Sequence, residues 1–194
     1  MIVKDEHNES IPENIAYAGA LSAMCISAAY AKSWTLTPQS SVGFSINSLG
    51  LNVVKGNFQE FKATMQFDPD RPQQSSTEFT MQVDSLEVSK PSLKNMIMGE
   101  DLFHASRYKT VNFKSTQFKP NGTNRYQVMG QLTLRGVTRP VVFDTTLTPN
   151  KGNPNLLDVK STTVINRSDF GMKKATAGVG EKVNIHLMGQ WKTQ

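Results

Sequence analysis

Two histidines in the body of the chain, His104 and His186, are the first residues to question for chemistry, because imidazole titrates near neutrality and ligates metals. A third, His7, sits in the leading segment treated below. His104 has Glu100 and Asp101 close by, and at helical spacing one of these carboxylates could orient the ring or share a metal with it. The bland alternative is a solvated loop histidine. His104 and His186 stand 82 positions apart, so they form no local ligand pair of the HxxxH kind. His186 lies between Ile185 and Leu187 in an alternating run and is expected to face outward, opposite them.

Other motifs carry less. Gly178-Val179-Gly180-Glu181-Lys182 lacks the Lys-Ser/Thr ending of a phosphate loop and reads as a hairpin loop. Asp169-Phe170-Gly171 matches a kinase tripeptide, but the lysine strand and catalytic loop that give that tripeptide meaning are missing. There is no GxSxG elbow, and no serine sits in a triad context. Arg107, Tyr108, Lys109, Phe113 and Lys114 interleave cations and aromatics as a nucleic-acid platform would. The same run also reads as a strand with Phe113 inward and cations outward, so no nucleic-acid partner is expected. No catalytic or metal-ligating residue is assigned, and the expectation is a protein that is not an enzyme.

The elements that hold these residues must come from a chain of 194 residues, 38% hydrophobic and 19% charged, with 10 Phe and 9 Met. That composition suits one globular domain. Ile15 to Tyr30 is an uncharged, Ala-rich run, and Ala29-Tyr30-Ala31 at its close fits the small-x-small pattern of a signal-peptidase site. Residues 1–31 are therefore expected to be a cleaved export signal, with the mature protein starting at Lys32 in the periplasm. Its first residues depart from a positive n-region, with Lys4 set against Asp5, Glu6, Glu9 and Glu13. From Lys32 onward the chain has 20 basic and 12 acidic residues, a net charge of +8, which favours anionic partners such as a membrane surface. The single cysteine, Cys25, lies within the signal, so disulfides and thiolate sites are not expected in the mature chain.

Beyond Lys32 the apolar residues alternate, as in half-buried strands. Val42, Phe44 and Ile46 share one parity, as do Ala63, Met65 and Phe67, and Phe79, Met81 and Val83. Tyr126, Val128, Leu132 and Leu134 follow across Gly130, then Val141, Phe143, Thr145 and Leu147, then Val183, Ile185 and Leu187. Turn residues separate these runs at Asp68 to Pro72, Pro120 to Thr123, Arg135 to Thr138 and Pro149 to Pro154. The reading is all-β, about eight antiparallel strands, with one exception. Over Ser92 to Ser106, Leu93, Met96 and Ile97 fall at i, i+3 and i+4 and predict a helical turn or two, long enough to cap a barrel mouth. An eight-stranded barrel either fills with its own side chains or holds one slender ligand, and periodicity admits both.

Three segments together resemble the YceI-like family of exported polyisoprenoid-binding proteins. The first is Trp34 to Phe67, with Val42-Gly43-Phe44, Gly56-Asn57-Phe58 and Phe67-Asp68. The second is Met96 to Thr116, with Gly99 to Phe103, Tyr108-Lys109-Thr110 and Phe113 to Thr116. The third pairs Gly130 to Val141 with Asn166-Arg167-Ser168-Asp169-Phe170-Gly171-Met172. The resemblance spans Lys32 to Lys192 and implies an eight-stranded antiparallel lipocalin-like barrel with a short helical segment near one mouth. It implies that an apolar lipid occupies the interior, either an isoprenoid or a ubiquinone-like molecule, and that no cofactor is required. The implied ligand-facing positions are Phe44, Ile46, Phe58, Met65, Phe67, Phe79, Met81, Val83, Met96, Phe103, Phe113, Leu132, Leu134, Phe143 and Phe170. Asn47, Arg135, Arg167 and Asp169 are the candidate polar groups near the mouth. Arg167 and Asp169 also have a purely structural reading, in which they pair with each other or cap backbone groups. The family pattern has a histidine after the first strand, where this chain reads Asn47-Ser48-Leu49-Gly50, and an Arg-Asp where it reads Lys94-Asn95.

The function expected is non-catalytic binding and carriage of an isoprenoid-type lipid in the periplasm. The expected partners are that lipid and an anionic membrane surface, and a homodimer is compatible with both. The rival readings are an envelope-stress or surface-binding module without a lipid, and a lipid-modifying enzyme built around His104.

Overall fold

The computed structural model describes residues 31–48, 51–172 and 180–194. The export signal expected over residues 1–31 falls, but for Ala31, outside the described residues, as do Cys25 and the first half of the loop at Gly178 to Lys182.

The alternating runs become eleven strands in one antiparallel sheet. They are β1 (Lys32–Leu36), β2 (Ser41–Ser48), β3 (Leu51–Phe58), β4 (Phe61–Phe67), β5 (Ser76–Gln82), β6 (Leu86–Val88), β7 (Thr110–Pro120), β8 (Arg125–Leu134), β9 (Val137–Pro149), β10 (Leu156–Asn166) and β11 (Lys182–Thr193). Eleven strands make eight staves, because three staves are each broken into two strands. β1 and β2 lie along the same edge of β11, with Leu36 opposite Trp191 and Val42 opposite Leu187. β4 pairs β1 while β3 pairs β2, and β5 pairs β4 while β6 pairs β3. The other five staves are continuous, and β1 against β11 closes the ring. Closure pairs β1 and β11 on both sides and leaves β6 paired on one side only among the described residues.

The breaks have local causes. Between β1 and β2 the chain turns at Thr37 to Ser40, where the Ser40 amide donates to the Thr37 carbonyl at 3.0 Å and the Gln190 amide donates to Ser40 Oγ at 3.2 Å. Ser40 packs directly on Gly189, where an added Cβ would come within 2.0 Å of Ser40 Oγ; φ there is +156°. Between β5 and β6, residues Val83–Ser85 make a single 3-10 turn. At its start the Val83 amide still reaches the Lys109 carbonyl at 2.8 Å, ahead of β7, and Lys109 Nζ reaches Asp84 of the turn at 3.4 Å. Beyond it β6 pairs only with β3 among the described residues, so the barrel wall is split between β6 and β7.

The connection from Ser89 to Lys109 fills that split. It carries a 3-10 turn at Pro91–Leu93, a short helix α1 (Lys94–Met98) and a run of tight turns. This is the helical segment predicted over Ser92 to Ser106, and Ile97, Leu102 and Phe103 from it are buried against the barrel interior.

Most of the inward-facing sets read from alternation are buried, including Val42, Phe44 and Ile46, and Ala63, Met65 and Phe67, while Phe79, Phe143 and Ile185 are partly buried. Val83 is also buried, at 1% exposure, although it lies in the 3-10 turn and not in a strand. The β8–β9 hairpin turns through Arg135 (φ 54°) and Gly136 (φ 73°), both left-handed, the two-residue turn whose twist matches that of paired strands. Tyr108 leans on Gly136, where a Cβ would lie 2.8 Å from Tyr108 Cε1.

Candidate ligand-binding cavity

The two ends of the barrel differ. At one end, Phe67 packs edge-on to Tyr126, with ring centroids 5.4 Å apart, and 6.3 Å from Phe118. The 3-10 turn Pro72–Gln74 packs against β7 at the same end, with Pro72 buried. These aromatics seal the floor. At the other end the β8–β9 turn, the 3-10 turn Arg167–Phe170 and the Ser89–Lys109 connection converge into a mouth.

Between them lies a cavity of about 130 Å³ with a wall that is apolar almost throughout. Phe113 stands 5.0 Å from Phe143 and 6.5 Å from Phe79, and Phe79 stands 5.6 Å from Trp191, so a line of edge-on rings crosses the interior. Phe103 closes the mouth side, 6.0 Å from Phe44 and 6.2 Å from Phe58. Met65, Met81 and Met172 also face the space, and their flexible thioether side chains adapt to variable shapes.

Of the residues expected to face a ligand, Phe44, Ile46, Phe58, Met65, Phe79, Met81, Phe103, Phe113, Leu132, Leu134, Phe143 and Arg167 line this cavity. Phe67, Val83 and Phe170 are buried behind its wall, and Met96 is partly buried on α1. Asn47 and Asp169 are exposed at the rim. Asp169 accepts from Asn166 Nδ2 at 3.2 Å, and its main-chain oxygen accepts from Arg139 Nε at 3.2 Å. Arg135 ties the mouth together, donating to the Glu100 carbonyl at 2.9 Å and also to the Gly171 carbonyl.

Arg167 is the charged group inside. It is 1% exposed and sits 3.8 Å from Glu181 Oε2. Glu181 is held in turn by the Ser168 amide at 3.1 Å and by the Ser168 hydroxyl. Burying a guanidinium is tolerable only with such a counter-charge. The counter-charge beside Arg167 is Glu181, fourteen positions on, and not Asp169.

The histidines stay apart. His104 Nε2 is 4.0 Å from Glu100 Oε1, and its ring meets Tyr108 edge-on at 5.7 Å, with φ at 49°. His186 is half-buried opposite Gly43 of β2; burial first, and Lys55 second, hold its pKa below the usual value. Among the described residues no three His, Cys, Asp or Glu side chains gather at a metal-sized site.

Several wall residues escaped the sequence reading of ligand-facing positions. Trp191 continues the parity of Val183, Ile185 and Leu187 across Gly189, and that signal was available. Phe118 carried no such signal, because its parity is opposite to that of Phe113. A bulge between Ser115 and Gln117 shifts the β7 register and turns Phe118 inward.

A model of the YceI-like domain matches residues 34–190. The chain belongs to this family. A UPF0312 protein of Vibrio cholerae is 29% identical over 155 residues, covering 78% of this chain and 82% of that one. Among solved structures, BcnA of Burkholderia cenocepacia superposes with a TM-score of 0.74 at 26% identity, over 80% of this chain and 98% of that chain. A polyisoprenoid-binding domain from Saccharophagus degradans superposes with a TM-score of 0.64 at 11% identity, over 84% of this chain and 99% of that one, a likeness of fold.

Proposed function

We propose that this YceI-like protein is an exported, non-catalytic carrier that holds the apolar chain of an isoprenoid-type lipid, a polyisoprenoid or a quinone tail, inside its barrel. The observation that carries the reading is the nearly all-apolar cavity on the barrel axis, floored by aromatics and capped by a separate segment. The polyisoprenoid-binding neighbour of the same fold supports it.

Size sets a condition on the carrier. A cavity of about 130 Å³ is close to the roughly 150 Å³ at which a dry apolar cavity takes up one benzene ring. A longer chain enters only if methionines and phenylalanines of the wall repack. Each five-carbon unit contributes on the order of 4 kcal/mol gross when buried, at about 0.8 kcal/mol per carbon, so successive units offset that rearrangement. The net charge of +8 from Lys32 onward suits loading and delivery at an anionic membrane surface, an attraction that salt would weaken.

Native mass spectrometry of the protein purified from a bacterial periplasm, followed by solvent extraction, tests the proposal. An isoprenoid adduct and a chain beginning at Lys32 are expected. A lipid-free barrel that also refuses added isoprenoids would sink the carrier reading and return attention to the cationic surface.

A further inference from the structure

Three hydroxyls interrupt the apolar part of the cavity wall, and they differ in what becomes of their hydrogens. Thr77 Oγ1 donates to the Thr64 carbonyl at 2.8 Å, so its hydrogen is spent on the backbone of the neighbouring strand. Thr145 of β9 and Ser161 of β10 stand directly opposite each other in register, and their hydroxyl oxygens are 2.7 Å apart. Both face the cavity, and they are 8% and 7% exposed.

A hydroxyl carries one hydrogen and two lone pairs. Two hydroxyls at hydrogen-bond distance share one hydrogen between their oxygens, and the second hydrogen is left over. Among the described residues neither oxygen makes another hydrogen bond. Buried donors in folded proteins almost always find an acceptor, so a leftover hydrogen facing an apolar cavity calls for one from outside the chain.

We propose that the Thr145–Ser161 pair is a hydrogen-bond donor for a carbonyl oxygen of the lipid in the barrel. This inference rests on the carrier reading above and narrows its ligand to a neutral, carbonyl-bearing amphiphile: a quinone ring, an ester or an amide in preference to a pure hydrocarbon. The ligand group is neutral because the pair offers one donor and no counter-charge, and an isolated carboxylate would lose its hydration uncompensated. The charged group of the wall, Arg167, lies six residues on from Ser161, just past the end of β10, roughly 20 Å at the usual rise of a strand. A ligand whose carbonyl reaches Thr145 and Ser161 therefore enters carbonyl end first, with its chain trailing toward the mouth.

The test compares farnesylacetone, an isoprenoid ketone, with the same hydrocarbon bearing a methylene in place of the carbonyl. Each competes against a fluorescent apolar probe in the full mature protein. The unmodified protein should prefer the ketone about tenfold, the ratio that corresponds to about 1.4 kcal/mol. The Thr145→Val/Ser161→Ala double variant should bind both ligands equally. Each single variant should keep a preference, since the remaining hydroxyl still has its own hydrogen. The hydrocarbon meets only apolar wall, so its affinity reports whether each variant is folded. In the unmodified protein the carbonyl stretch of the bound, ¹³C-labelled ketone should fall below its value in hexane, a reading that needs no variant. No ketone preference in the unmodified protein, or an unshifted carbonyl stretch, overturns this inference and leaves the carrier standing if the hydrocarbon binds. Refusal of both ligands by the folded protein overturns the carrier reading and this inference together.

Discussion

The floor and the mouth of this barrel are built on opposite plans. At the floor, Phe67, Phe118 and Tyr126 interlock between paired strands, and the buried Pro72 of the β4–β5 connection packs against β7. At the mouth one seam of the wall is unpaired, and the gap is filled by the Ser89–Lys109 connection, whose one regular helix is five residues long. Single hydrogen bonds join that connection to the barrel, such as the Ser89 amide to the Lys55 carbonyl at 2.8 Å and Arg135 to the Glu100 carbonyl at 2.9 Å. Few regular contacts and a single-layer cover mark the segments that open locally before a protein unfolds. The comparison assigns stability to the floor and access to the mouth.

The largest effect that would test this division is Phe67→Ala. It removes a 4%-exposed ring of the floor and should lower the unfolding free energy by about 3–5 kcal/mol. Urea denaturation measures the loss, and apolar-probe affinity under folding conditions should change little. If uptake kinetics change as much as stability does, floor and mouth are not separate. Arg135→Ala should reverse the pattern. Losing two hydrogen bonds to main-chain carbonyls at an exposed site costs about 1 kcal/mol, while probe release, followed by stopped-flow fluorescence, should quicken several-fold. An unchanged release rate would show that the connection does not control access.

The smallest effect concerns acid. His186 has a folded-state pKa below its ordinary 6.5, held down by burial and then by Lys55. The unfolded chain therefore takes up the proton first, and stability falls as pH drops below about 6.5 until the folded-state pKa is passed. Asp68, at the floor, is lowered from 3.8 by the Asp70 amide and then by Arg71. Its contribution is present above 3.8 and is lost only as pH falls from there toward its folded value. Denaturation curves of His186→Gln should lose the first of these slopes and keep the second. A slope near pH 6 that survives in the variant would assign the effect to another group.

Much of this architecture was written in alternation. Runs such as Val42-Phe44-Ile46 and Ala63-Met65-Phe67 place their apolar faces inward, because the side-chain period of a strand is 2 whatever its partner. The i, i+3, i+4 pattern of Leu93, Met96 and Ile97 located α1. Local pattern could not show that three staves are broken. The breaks depend on contacts far along the chain, as where Ser40 fits against Gly189, and on turns too short to leave a composition signal. For the cavity, parity and the family likeness between them supplied most of the aromatic wall. The bulge that turns Phe118 inward was invisible to parity. The partner of Arg167 was equally hidden, since Glu181 reaches it from across a loop. Thr145 appeared in the alternating pattern as an ordinary inward position, and only its pairing with Ser161 gives it a chemical part.

The ring is closed by its first and last strands, and the hydrogen bond from Gln194 to Thr35 joins residues 159 positions apart. A chain delivered from its N-terminus, across a membrane or off a ribosome, holds β1 without its closing partner until β11 arrives. The cavity thus forms last, in one step, and loop-closure entropy makes that step slow. During that wait the strip of Phe and Met that later forms the wall faces solvent. Protection from premature self-association must then come from elsewhere, and the surplus of positive charge, which keeps like chains apart, is one such safeguard.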